Sequence, residues 1–317
     1  MYLYHFGIRE LPFTLTPNTK FYFGLPSHNE ALSVLKTALY SGEGFIKVTG
    51  EVGTGKTLIC RKLLNELPDN FVAAYLPNPY LSPSELRHSV ATELEVELPN
   101  GSDQQAFTQA IQTKLIEFRQ SGKAVVLIID EAQALPDESI EALRLMTNLE
   151  TETTKLMQVV LFGQPELDAK IARPELRQLR QRITFDYQLI QMTSDQIYQY
   201  INHRMQAAGY TRSESLFSKG LCRKLLQASN GTPRLVNIIC HKALMLAYGE
   251  GKSTITAKHI KLAVTDTAAA SPMKSFAWLN WAIPAVSCLI ILSTIFIHSD
   301  ITPDYQALLG FVSEWRQ

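Results

Sequence analysis

Residues 50–57, GEVGTGKT, set three glycines, a lysine and a threonine between an apolar, β-rich run that starts at Phe45 and a helical pattern over 58–67. Few folds place a glycine loop between a strand and a helix in this way. Gly50, Gly53 and Gly55 free the backbone to curl, so that the N–H groups of the loop, those of Glu51, Val52 and Thr54 included, can converge on one anion. A helix that begins near Gly55 and runs on through Leu58 adds its positive end at the same point. Lys56 then supplies a point charge for the β and γ oxygens of a triphosphate, and Thr57 a hydroxyl for Mg²⁺. These residues predict a site for ATP with Mg²⁺. The plainer alternative is a glycine turn beside a surface lysine. Chance would produce the pattern in roughly 1% of chains this long, and the flanking strand and helix lower that further.

The first half of the chain repeats one alternation. Short apolar runs start at Phe45 (FIKVT), Phe71 (FVAAYL), Ala124 (AVVLIID), Met157 (MQVVLFG) and Ile183 (ITFDYQL), with longer helical patterns between them. Five such runs predict an α/β fold, a five-stranded parallel sheet covered by helices on both faces, over residues 1–190. The third run is apolar at six successive positions, which predicts the strand in the middle of that sheet. After Gln191 the strands stop. Patterns over 193–209, 216–230, 233–249 and 257–268 read as four helices with polar or glycine ends, a small helical domain over 191–270.

Asp130 and Glu131 end the third run, where the ligands of open α/β sheets collect. Asp130 is expected to hold Mg²⁺ through water, and Glu131 to orient and deprotonate the water that attacks the γ phosphate. A helix start with acidic residues favoured by the helix dipole is the alternative.

The 317 residues are 46% apolar and 19% charged, the balance of a globular chain. Thirty basic residues offset thirty acidic ones, so no overall field draws the chain to nucleic acid. The four cysteines lack Cys-x-x-Cys spacing and read as reduced and structural. The opening MYLYHFGIRELPFTLTP lacks the order of a secretory signal, so the N-terminus is expected to stay in the cytosol. Residues 276–297 form a stretch of 22 without a charge, long enough to cross roughly 30 Å of hydrocarbon. Trp278 and Trp281 near one end suit a membrane interface. Lys258, Lys261 and Lys274 precede it, and Asp300, Asp304 and Glu314 follow with Arg316. The expectation is therefore one transmembrane helix in a bacterial inner membrane, the bulk cytoplasmic and a short tail, 298–317, periplasmic.

The motifs GEVGTGKT, LIIDEAQ, LFGQPEL, LRQLRQRI and GTPRLVN, with the opening FGIRELPFTLTPNTKFYFGLPSHNEAL, resemble the ExeA or GspA family of AAA+ secretion ATPases over about residues 3–268. The resemblance implies an AAA+ P-loop NTPase with a helical lid. It also implies a homo-oligomer, as a ring such as a hexamer, and pilus or secretion machinery proteins as partners, here of an MSHA-type pilus. Further roles come with it. Gln164 matches the first sensor at a strand end. Arg180 and Arg182 precede the fifth strand, where an arginine finger would reach a neighbour's γ phosphate; a solvated basic face shared with Arg173 and Arg177 is the alternative for either. Arg234 matches the second sensor of the lid. His28 matches the position that lines the adenine pocket, a helix cap being the alternative. The secretion ATPase carries a periplasmic peptidoglycan-binding domain that 298–317 does not match, which puts a direct grip on peptidoglycan in doubt. Two other functions fit the same motifs: a nucleotide-gated scaffold with little turnover, and a DNA-handling ATPase of transposition or replication type.

Overall fold

The computed structural model of the chain describes residues 2–96, 104–148 and 155–271. Its strands are β1 (Phe45–Thr49), β2 (Phe71–Leu76), β3 (Ala124–Ile129), β4 (Met157–Gly163) and β5 (Ile183–Gln188). They form one sheet in the order β2-β3-β4-β1-β5, every pair parallel. Side chains alternate between the faces, as strand geometry requires. Val125, Leu127 and Ile129 of β3 pack on one side with Leu86, Leu115 and Leu143 of the helices Pro83–Glu93, Gln104–Gln120 and Asp137–Met146. Val126 and Ile128 face the other side with Leu35, Ile59 and Leu63 of the helices Pro26–Tyr40 and Lys56–Glu66.

The middle strand is β4 rather than β3, which lies one place toward the edge. All seven residues of β4 are buried. A polar position hides this in the sequence. Gln158, 4% exposed, breaks the apolar run and is satisfied by donating to the carbonyls of Leu39 (3.1 Å) and Glu43 (3.0 Å).

Helices Ser194–Ala207, Lys219–Ser229, Pro233–Gly249 and Ala257–Thr265 follow the sheet. Thr193 closes a capping box with Gln196, and Pro233 stands in the first turn where its missing N–H costs nothing. Their apolar faces, with Ile201, Leu225, Ile239 and Ile260, enclose Tyr2, Phe6, Ile8 and Phe13. The opening residues therefore pack with these helices, and the Arg9 N–H donates to the Ala208 carbonyl at 2.7 Å. Sheet and helices belong to one unit, Met1–Ser271.

Cys60, Cys222 and Cys240 are free and buried, and burial pushes each thiol above its usual range. The stretch expected to span a membrane, 276–297, and the tail 298–317 lie outside the described residues. Among the described residues no helix is long and apolar enough to cross a membrane.

Candidate nucleotide site

The strand order brings three loops together at one edge. β4 stands between β3 and β1, so Asp130 after β3, Gln164 after β4 and the glycine loop after β1 follow in adjacent places. The Gly50 N–H donates to the Gly163 carbonyl at 3.2 Å and ties the loop to β4.

Two glycines of the loop have conformations that a side chain would not share. Gly53 lies at φ +82°, and a Cβ there would stand 2.5 Å from the Cβ of Arg234. Gly55, at φ +105°, has the His28 ring in the place a Cβ would need, 2.9 Å away. The helix Lys56–Glu66 starts directly after it. Lys56 is 5% exposed and donates to the carbonyls of Gly50 (2.8 Å) and Glu51 (3.1 Å). Burial lowers the ammonium pKa, against the pull of Glu131 and Asp130.

Thr57 Oγ1 donates to Asp130 Oδ2 at 2.7 Å. Asp130 is 3% exposed, and burial pushes its carboxyl above the usual range, against the bonds from Thr57 and the Glu131 N–H. A hydroxyl and a carboxylate so placed are oxygen ligands of the kind Mg²⁺ takes alongside phosphate and water. Among the described residues no group of three or more His, Cys, Asp or Glu could form an all-protein metal cage. The arrangement thus fits a metal brought with a triphosphate.

Glu131 takes a left-handed backbone at φ 53°, ψ 39°, strained for a residue with a side chain. Its Oε2 accepts from Gln164 Nε2 (2.8 Å) and Gln133 Nε2 (2.6 Å). Burial opposes its ionisation, but those two donors and the charge of Lys56 outweigh it and hold the carboxyl below its usual range.

Lys56, Thr57, Leu58 and Glu131 line an open cleft with Val52, Gly53 and Gly55. Arg234, exposed in the first turn of its helix, lines the same cleft, and its N–H donates to the Gly53 carbonyl at 3.2 Å. His28 stands behind the loop. Its Nε2 donates to the Thr54 carbonyl at 2.8 Å, Thr54 Oγ1 donates to the Glu51 carbonyl, and burial lowers the imidazole pKa, which favours the neutral ring. Arg180 and Arg182 lie away from this cleft; Arg180 reaches the Ala172 carbonyl at 3.4 Å, and Arg182 bonds Asn148 Oδ1.

Several residues in or beside the cleft carried no expected role. Gln133 lay inside the quoted LIIDEAQ. Residues 14–18 form one wall, and the Pro17 carbonyl accepts from Arg61 at 3.0 Å; they lay inside the quoted opening. Arg204 and Tyr200 had no signal, because helical spacing alone does not separate a cleft wall from a core.

The comparisons agree with this fold. Residues 38–171 match the AAA domain family. General secretion pathway protein A of Aeromonas hydrophila is 39% identical over 266 residues, which are 84% of this chain and 48% of that protein. The chain thus spans about half the length of that relative. Among solved structures, Cdc6p from Pyrobaculum aerophilum has a TM-score of 0.61 at 20% identity, covering 80% of this chain and 69% of that one. The ORC2 protein of Aeropyrum pernix has a TM-score of 0.58 at 15% identity, covering 83% of this chain and 74% of that one. At these identities the likeness is one of fold.

Proposed function

We propose that this chain, an AAA-domain protein related to General secretion pathway protein A, binds and hydrolyses ATP to support assembly of an envelope-spanning complex. The complex would be an MSHA-type type IV pilus or a type II secretion-like machine, and the chain a counterpart of the MSHA pilus-biogenesis protein MshM. Residues 276–297 would hold it in the inner membrane with the bulk in the cytoplasm. The observation that carries the ATPase reading is Glu131, beside buried Asp130, on the wall of the cleft that holds Lys56 and Thr57.

In this reading the loop N–H groups and Lys56 hold the phosphates, and Thr57 and Asp130 would hold Mg²⁺, which when bound neutralises charge on the β and γ oxygens. Glu131 takes the proton of the attacking water, and Gln164 keeps the carboxylate in place. His28 supports the loop from behind, with adenine contact carried here as a further proposal. Arg234 links the loop to the last helices and reports nucleotide state to them. Arg180 or Arg182, both at a surface away from their own cleft, would reach the cleft of a neighbour in a homo-oligomeric ring.

Steady-state turnover per subunit should rise with protein concentration, and Glu131→Gln should bind ATP while losing turnover. Unchanged turnover in Glu131→Gln removes Glu131 as the base. A second reading, a nucleotide-gated scaffold, draws on the two amide donors that occupy Glu131 Oε2. Single-turnover measurement on assembled protein separates the two. A DNA-handling role draws only on the fold shared with Cdc6p and ORC2; salt-dependent DNA affinity of the chain would support it.

A further inference from the structure

We infer that Gln133 is a positioning residue for hydrolysis: it closes a three-membered hydrogen-bonded ring that occupies one oxygen of Glu131 and leaves the other unbonded. The inference rests on the reading of Glu131 as the base.

The ring is complete in its contacts. Gln133 Nε2 donates to Glu131 Oε2 at 2.6 Å, and Gln133 Oε1 accepts the Gln164 N–H at 3.0 Å. Gln164 Nε2 returns to the same Glu131 Oε2 at 2.8 Å. Both ends of the Gln133 amide are therefore used, one on the end of β3 and one on the end of β4. The backbone beneath is fixed as well. Residues Ala132–Ala134 form a single 3-10 turn, the Ala134 N–H donates to the Glu131 carbonyl at 2.9 Å, and Lys170 Nζ donates to the Gln133 carbonyl at 3.0 Å.

The consequence falls on the carboxylate. Both side-chain donors reach Oε2, and among the described residues no hydrogen bond reaches Oε1. A glutamate on the cleft wall would otherwise sample several rotamers and lose entropy on each productive approach. The ring removes that freedom in advance and leaves Oε1 as the acceptor for water. When the water attacks the γ phosphorus, a lone pair of its oxygen forms the new P–O bond, the bond to the bridging oxygen breaks with its pair leaving on the diphosphate, and the water proton passes to Oε1 while the O–H pair stays on the attacking oxygen.

Glutamine meets the demands of the position. The ring needs a donor and an acceptor on one planar group at this reach. Asparagine is one methylene short. Glutamate would set a like charge against Glu131, and methionine keeps the length without either hydrogen bond.

The test uses the full chain, with kcat and KM for ATP measured for the wild type, Gln133→Met, Gln133→Glu and Glu131→Gln. Gln133→Met should lower kcat by about tenfold with KM within about twofold of wild type. A role in stability alone would lower the folded fraction and leave kcat per folded molecule unchanged. Gln133→Glu should lower kcat at least as far, because a like charge beside Oε2 turns the carboxylate away, and this variant carries the test if Gln133→Met fails to fold. Wild-type kcat in the folded Gln133 variants, beside an inactive Glu131→Gln, would overturn the inference while leaving the base in place. Full turnover in Glu131→Gln would overturn the base, and the inference with it.

Discussion

Two polar networks wall the cleft and solve opposite problems. At the sheet edge an anion, Glu131, is held by the amides of Gln133 and Gln164. Among the helices that follow the sheet a cation, Arg204, is 6% exposed and donates to the Pro12 carbonyl (2.6 Å) and the Tyr200 hydroxyl (2.9 Å). Its guanidinium stands 4.9 Å from the centre of the Phe21 ring and 5.5 Å from that of Tyr200. Tyr200 in turn donates to Asn237 at 3.0 Å. Among the described residues, neither network pairs its charge with an opposite one at hydrogen-bond range. Neutral partners fix the geometry and leave net charge facing the cleft, which suits a ligand carrying phosphates and a metal.

The contrast predicts a separation of binding from stability. Among the described residues Lys56 bonds only to carbonyls of its own loop, so Lys56→Ala should leave unfolding in urea nearly unchanged. ATP affinity should fall roughly 1,000-fold, about 4 kcal/mol, in a calorimetric titration. Equal affinity would remove the phosphate loop as the anchor of everything proposed for the cleft. Arg204→Ala should do the reverse and destabilise the fold by about 3 kcal/mol, since it strands the Pro12 carbonyl and the Tyr200 hydroxyl and empties the space between two rings. Arg204→Lys should recover less than half of that, because an ammonium cannot match the planar fork. A stable Arg204→Ala would mean that the charge, and not the packing, is the purpose of that wall.

The difference also explains what could be read in advance. The sheet-edge residues sit within motifs whose spacing is set by chain geometry: a loop after one strand, an acidic pair after another. Periodicity located all five strands, because each face of a covered sheet demands apolar residues. It placed β3 in the middle because Gln158 interrupts β4, and a buried glutamine paired to two carbonyls looks in sequence like a strand with a wet side. Arg204 was illegible for a different reason. Its partners are 4, 183 and 192 positions away, Tyr200, Phe21 and Pro12, and no local pattern encodes a contact between the opening residues and a helix so far along. Gln133 was visible inside its motif, but its role appears only once β3 and β4 are neighbours.

Gly53 is where the two halves of the site touch, through the Arg234 N–H and the missing Cβ. Gly53→Ala adds a methyl into a 2.5 Å approach and imposes a left-handed backbone on a residue that resists it. A loss of about 2 kcal/mol in unfolding is expected, with weaker ATP binding as the Arg234 helix is displaced. Unchanged affinity at reduced stability would sever Arg234 from the nucleotide and leave it a surface arginine.

The smallest effect tests the converse, that charges outside the cleft are ordinary ion pairs. Exposed Glu250 meets Lys252 (2.6 Å), Lys258 (2.9 Å) and the buried ring of His259 (3.2 Å). Bonds from Lys252, Lys258 and His259, in that order, lower its carboxyl from the usual 4.5 to about 2. A carboxyl with a depressed folded pKa contributes stability that is whole above 4.5 and is lost as the pH falls through about 2. Thermal unfolding of Glu250→Gln should therefore differ from wild type at neutral pH, converge with it toward pH 2, and converge with it in high salt at any pH. A gap that ignores salt would mean that Glu250 acts by orienting His259, whose Nδ1 accepts the Thr256 N–H at 3.1 Å and so caps the last described helix.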